Sequence, residues 1–317
     1  MAASPLPGQA GVIELISAAT IQSAIAIATP LFIGALGGLF CERVGIVNVG
    51  LDGIMLMGAF AAAVVSYISG SAWVGVLAAC AAGAILGLLH ALICVTFKAD
   101  HVISGVAINI MSSATTLFLL QYLFHNKGQS PAAPQVGSLG NLAAGIPVFG
   151  AIFGNMSDIT ILGLMLVVLS QLFITRTRTG LRLRSVGENP YAAQTLGIPV
   201  RRYMYLGVIA GCAMTGLGGA FLSIGMLNVF TKNMTAGRGY IALAALVVGR
   251  WNPYGLLLAA LFFGYISAWQ MSLQGFTLPA QLIEAIPYAA AVIMLAIVSR
   301  RAVGPAHSGK IFSPDEN

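Results

Sequence analysis

Apolar runs about as long as a bilayer is thick recur through this chain. Residues 13–40, 45–68, 71–97, 101–124, 158–175, 203–225, 254–273 and 278–299 are each dominated by aliphatic and small side chains. About 20 such residues carry a helix across the hydrocarbon core. Hydrophobic residues make up 58% of the chain and charged residues only 8%, a balance foreign to soluble domains of this length. The expectation is an all-α, polytopic helical membrane protein. One further apolar stretch, residues 239–249, is too short to cross alone. It predicts a half-helix continued by irregular backbone, which is tolerated only inside a bundle or along a cavity. The count is about nine membrane segments, including one short or broken helix, in a single domain spanning residues 1–317. The segment before residue 13 carries no basic cluster and reads as a short tail rather than a cleaved signal.

The charges that remain are unevenly placed. Arg176, Arg178, Arg182, Arg184, Arg201 and Arg202 crowd the polar stretch between the fifth and sixth long runs. Lys and Arg are retained on the inner side of a membrane, so residues 176–202 and the tail 300–317 are expected in the cytoplasm. The loop at 125–157 has several prolines and a single basic residue and is expected outside. Lys127, Lys232 and Arg238 are the basic residues this topology leaves on the outer side. The net charge of +6 is therefore topological. No basic face with interleaved aromatics is present, and nucleic acid is not an expected partner.

Within the arginine-rich stretch, GENPYAAQTLGIP spells a short helix. Pro190 suits a first helical position, with Glu188 and Asn189 at the start, where an acid and a capping amide are favoured. Gly197 stops the helix and Pro199 prevents its continuation. A capped helix lying across the end of a membrane bundle is a natural plug for a cytoplasmic partner.

Inside the runs, polar residues are few. Asn48 and Asp52 stand four apart and would share one face of a helix. An acid within an apolar segment is costly, so it should face partners or water. The competing reading is that Asp52 braces a broken helix by accepting backbone N–H groups. Asn109 is expected to bond between helices, and His90 to be a packed, hydrogen-bonded histidine. The pairs Gly83 with Gly87 and Gly207 with Gly211 have the spacing that allows close helix approach. GIVNVGLDGIMLMGAF and GRGYIALAALVVGRWNPYG are both glycine-punctuated and each opens an apolar half, a possible internal pseudo-repeat of the kind that marks transport pathways.

Other chemistry is missing. No metal-ligand spacing or catalytic motif stands out, and Cys41, Cys80, Cys94 and Cys212 read as packing residues. GPAHSGK at 304–310 has the spacing of a phosphate-binding loop. The next residue is Ile311 where a Mg²⁺-holding Ser or Thr is needed, and no strand precedes it. The chain is therefore expected to carry no nucleotide site, no cofactor and no catalytic residue.

RSVGENPYAAQTLGI resembles the cytoplasmic coupling segment of permease subunits in bacterial ATP-binding-cassette importers of the ribose and branched-chain amino acid superfamily. Residues 42–60, 99–111 and 242–264 are similar to its nucleoside branch. Ser185 stands where the family often has Ala, and His101 where an amide is expected. The resemblance implies a multi-pass subunit of the bacterial inner membrane that pairs with a like or homologous permease. Two cytoplasmic ATP-binding domains would dock on the coupling helices, and an extracytoplasmic binding protein would deliver a small polar solute. Nucleosides fit the branch; simple sugars or riboflavin-like solutes are the alternatives. Coupling is implied for Gly187, Glu188, Asn189, Pro190, Ala192, Ala193 and Gly197, and a translocation path beside Asn48, Asp52 and Asn109. An ion-coupled transporter with Asp52 or Glu284 as proton carrier is the competing class. A membrane enzyme would need clustered catalytic residues, and a channel would not need so specific a coupling loop.

Overall fold

The computed structural model describes residues 18–138, 156–273, 280–298 and 303–313. The segment read as an N-terminal tail falls outside them. The described residues form eleven α-helices: α1 (Ala18–Arg43), α2 (Leu51–Ser69), α3 (Ala72–Ala91), α4 (His101–Phe124), α5 (Asp158–Arg176), α6 (Arg178–Glu188), α7 (Pro190–Thr195), α8 (Val200–Ala220), α9 (Arg238–Val248), α10 (Pro253–Ser272) and α11 (Ala280–Val298). Eight are long and apolar enough to cross a membrane, and α9 is the shorter apolar helix. The all-helical architecture with one short segment is as expected.

Burial separates the helices into a centre and a ring. The α1 span is 89% buried and the α8 span 78%, against 18% for the α11 span. Helix α8 packs on α1, α2 and α3, while α1 also carries α9 and α10. Lipid supplies no hydrophobic drive between helices, so close backbone approach through small residues has to hold such a centre together. Both glycine pairs serve it. A Cβ at Gly87 would lie 2.6 Å from that of Cys212 on α8, and one at Gly211 would lie 2.9 Å from Cys41 Sγ on α1. Helices α3 and α8 each end in a π-helical turn, at Leu92–Thr96 and Phe221–Leu227.

Two expectations need correction. The second apolar run becomes helical only at Leu51, and residues 45–50 are irregular backbone. Asn48 and Asp52 therefore do not share a helix face. The arginine-rich stretch holds two helices rather than one. Helix α6 buries Gly180, Leu183, Val186 and Gly187 on one side and leaves Arg178 and Arg182 exposed. At the opposite end of the bundle, residues 128–136 lie along the chain that follows α8, through Ser130 N–H to Phe230 O (2.9 Å) and Ala133 N–H to Asn228 O (2.8 Å).

Candidate functional site

The short helix α9 fixes the depth of the site. Its far end meets the end of α1, where Trp251 Nε1–H donates to Glu42 and the Arg43 guanidinium donates to Trp251 O. At about 1.5 Å per residue, its 11 residues rise about 16 Å. Its first turn thus lies about 16 Å from the end of α1, about half the thickness of a hydrocarbon core of about 30 Å. The chain reaches that depth through irregular backbone, with Asn228, Asn233, Ala236 and Gly237 all at positive φ. Helix α2 also begins at this level after irregular backbone. The two glycine-punctuated stretches meet here, start to start.

Asp52 joins them. Its Oδ1 accepts from Gly239 N–H (2.9 Å) and its Oδ2 from the Thr235 hydroxyl (3.0 Å). The carboxylate sits at the N-terminal end of α9, where unpaired N–H groups and the helix dipole favour an anion. Bracing by Asp52 is therefore real, and it acts on the start of α9 rather than on its own helix. Arg238 opens α9 beside it and donates to Met234 O (2.7 Å). Arg238, expected on the outer side, is the first residue of α9 and lies near the Asp52 carboxylate.

Asn109 bonds between helices as expected. Its Oδ1 accepts from Gly53 N–H (2.7 Å), and its Nδ2 donates to Val49 O (3.0 Å) and to Tyr240 Oη (3.0 Å). Asn48 lies apart and fully buried. Its Oδ1 accepts from Gly50 N–H (2.9 Å) and its Nδ2 points at Cys212 Sγ (3.2 Å), so it shapes the turn before α2. His90 is packed and bonded, to Ser104 Oγ (2.8 Å) and Val47 O (3.2 Å). The side chain of Glu284 lies outside the described residues. Asp52, Asn109, Arg238 and Tyr240 together make a polar patch where α2, α4 and α9 meet. Tyr240 was not singled out in the sequence; the signal available was its position one residue into GYIALAALVVG.

The arginine-rich end carries the other candidate surface. Asn189 Oδ1 accepts from Ala192 N–H (3.0 Å), Pro190 occupies the first position of α7, and Gly197 takes φ 76° just beyond it. Pro190 and Ala193 turn inward; Ala192, Gln194 and Thr195 face out, and Leu196 is 80% exposed. Glu188 is the last residue of α6 and stands directly before the Asn189 cap of α7. It accepts from Ala306 N–H (3.2 Å) and faces Arg43 at 4.0 Å.

That contact belongs to a strap the sequence did not announce. GPAHSGK is a docked turn: His307 N–H donates to Gly187 O (3.0 Å) and Gly309 N–H to Gly45 O (3.0 Å). Tyr191 of α7 lies between His307 and Phe312, with ring centroids 6.0 and 5.2 Å away, and Lys98 Nζ donates to Ser313 Oγ (2.6 Å). The tail thereby ties α6 and α7 to the turn that leads into Asp52. Burial, with Lys310 and His101 nearby, holds the His307 imidazole below the ordinary histidine range. The tail docks with His307 neutral, so its contribution is whole above pH ~6.5 and is lost as pH falls toward the depressed value. Deleting residues 303–317 removes several hydrogen bonds worth about 1 kcal/mol each. Amide exchange in α6, α7 and residues 45–50 is expected to accelerate roughly 30-fold or more while α2 stays unchanged; unchanged exchange in α7 would contradict the strap.

The family described as branched-chain amino acid transport system / permease component matches residues 20–298. The nucleoside ABC transporter permease protein NupC of Lactococcus lactis is 38% identical over 293 residues, covering 89% of this chain and 92% of the relative. The guanosine ABC transporter permease protein NupQ of Bacillus subtilis is 41% identical over 274 residues, 82% of this chain and 83% of the relative. The glucose ABC transporter permease protein TsgB13 of Haloferax volcanii is 27% identical over 296 residues, 86% and 74% of the two chains.

Proposed function

The chain belongs to the permease-component family of branched-chain amino acid transport systems, a multi-pass cell-membrane subunit of an ATP-binding-cassette importer, and we propose that the solute it passes is a nucleoside. The observation that carries the solute is the similarity, at 38% and 41% identity over most of the chain, to permeases named for nucleosides and guanosine. The mid-depth patch suits that chemistry. Asp52 and Asn109 line the path in this proposal, and Asn48 supports the turn behind them. A carboxylate has acceptor capacity beyond its two present bonds, and ribose hydroxyls and base N–H groups are donors. Contacts there stay modest, because a path that binds tightly does not release.

In the same proposal the arginine-rich end faces the cytoplasm, and residues 176–202 dock one of two ATP-binding subunits. A second permease, identical or homologous, completes the path, and an external binding protein delivers solute. The hydrolytic chemistry resides in the ATP-binding partners. Ala192, Thr195 and Leu196 form the docking face; Gly187, Glu188, Asn189, Pro190, Ala193 and Gly197 shape it from behind. An aspartate at Leu196 puts a charge into an apolar contact. Leu196→Asp is expected to cut ATP hydrolysis stimulated by the binding protein at least ten-fold in the reconstituted complex, with the melting temperature of the permease unchanged. Normal stimulation would remove α7 from the docking face.

A glucose reading has TsgB13 in its favour, and competition separates the two. Excess inosine or uridine is expected to suppress labelled guanosine uptake by the assembled complex, and excess glucose to leave it unaffected. Uptake of glucose that nucleosides do not inhibit would overturn the nucleoside assignment.

A further inference from the structure

Two tyrosines border the mid-depth patch and do no visible work in it beyond anchoring their own hydroxyls. Tyr240, on the first turn of α9, is 48% exposed, and Tyr288, on α11, is 47% exposed. The Tyr240 hydroxyl accepts from Asn109 Nδ2 (3.0 Å), and the Tyr288 hydroxyl donates to Ala236 O (2.9 Å). Each ring is thus held at its polar tip with much of its surface open. Tyrosines of membrane proteins usually sit at the headgroup level, where the hydroxyl reaches water. These two lie half-way through the bundle, with their hydroxyls bonded to protein.

The rings also share a floor. Both flank Gly237, which takes φ 80°. A carbon built on Gly237 would lie 3.1 Å from the Tyr288 hydroxyl, 3.8 Å from Tyr288 Cε1 and 3.9 Å from Tyr240 Cδ2. Both side chains thus border the same backbone position, beside Asp52 and Asn109. Ala236, beside it, holds φ 44°, a conformation unfavourable for a residue with a β-carbon. Its carbonyl is the acceptor for Tyr288, so the loop that shapes the floor also orients one wall.

We infer that Tyr240 and Tyr288 form an aromatic slot in the translocation path that receives the base of the solute. The inference rests on the nucleoside reading above and adds the group that recognises the base, as distinct from the sugar. Base–aromatic stacking tolerates any base but is strongest for the larger ring systems, so the slot favours purines over pyrimidines. Asp52 and Asn109, next to it, are left to the polar edges of the solute.

The test uses the permease reconstituted with its ATP-binding and binding-protein partners, with labelled guanosine, uridine and ribose as probes. Tyr240→Leu and Tyr288→Leu keep apolar bulk and remove the flat face. Each is expected to lower guanosine uptake per complex about ten-fold, uridine uptake less, and so to reduce the guanosine-to-uridine ratio. Tyr288→Phe keeps the ring and should hold that ratio within about two-fold of wild type. Melting temperatures of all variants identify any that fail to fold, and the ratio is read only on folded complexes. Leucine variants with the wild-type ratio would overturn the slot, as would a Tyr288→Phe variant that loses the ratio as fully as Tyr288→Leu. Wild-type uptake of ribose with none of either nucleoside would instead overturn the nucleoside reading and the slot with it. Nucleoside uptake that survives both leucine changes leaves that reading standing and removes only the slot.

Discussion

Gly216→Leu is expected to yield almost no folded permease. Helix α8 is clasped at Gly216 from two sides. A Cβ there would overlap the carbonyl oxygen of Ala79 and come within 3.1 Å of its carbon and 3.2 Å of Gly83 Cα on α3. On the α2 side, a Cβ at Gly58 would lie 2.6 Å from Gly216 Cα, so that helix is equally close. The obstructing atoms are backbone, which does not swing aside as a side chain does. Overpacking a core usually costs about 1–3 kcal/mol. Here two helix crossings open at once, and the loss should reach or exceed the top of that range. Gly216→Ala should already lower the melting temperature of the purified protein. Size-exclusion profiles after detergent extraction measure both; a normal monodisperse yield of the leucine variant would contradict the crossing.

Asp52→Ala is the second large effect. It strands two donors that are closed to solvent, the N–H of Gly239 and the hydroxyl of Thr235. An unpaired buried donor costs about 1–3 kcal/mol, so the change should destabilise by about 2–6 kcal/mol and free the start of α9. Asp52→Asn separates bracing from transport. Its Oδ1 still accepts from Gly239, and the Thr235 hydroxyl can turn to accept from the amide. Stability should stay within about 1 kcal/mol of wild type. Guanosine uptake per folded complex should nonetheless fall about ten-fold, since the acceptor charge toward the path is gone. Full transport by the asparagine variant would leave Asp52 as a clamp alone.

What the sequence made legible is local. The spans follow from hydropathy, because lipid imposes one rule on every residue in it. Helix α7 follows from Asn189, Pro190 and Gly197, each acting within a few positions of itself. Helix α6 was hidden: Gly180, Leu183 and Val186 recur at helical spacing, but the arginines between them read as loop. The shared face expected for Asn48 and Asp52 failed because Asn48 folds back on Gly50 and delays the helix. Glu188 stands just before α7 as expected, but its partners, Arg43 and Ala306, are remote in sequence and could not be foreseen. The same holds for Asp52 and Gly239, and for Tyr240 with Tyr288. A contact between segments so far apart leaves no periodicity or spacing to find. That is why the polar patch was half seen, through its acid and its amide, while its cation and its aromatic rings were not.

This chain is proposed to conduct nucleosides under the control of ATP hydrolysed on partner subunits. Guanosine uptake into vesicles holding the assembled complex tests it most directly, with ATP, the binding protein and a proton gradient supplied or withheld independently. Uptake that requires ATP and the binding protein, and persists when an ionophore collapses the gradient, is the result predicted. Uptake driven by the gradient in the absence of ATP would contradict it.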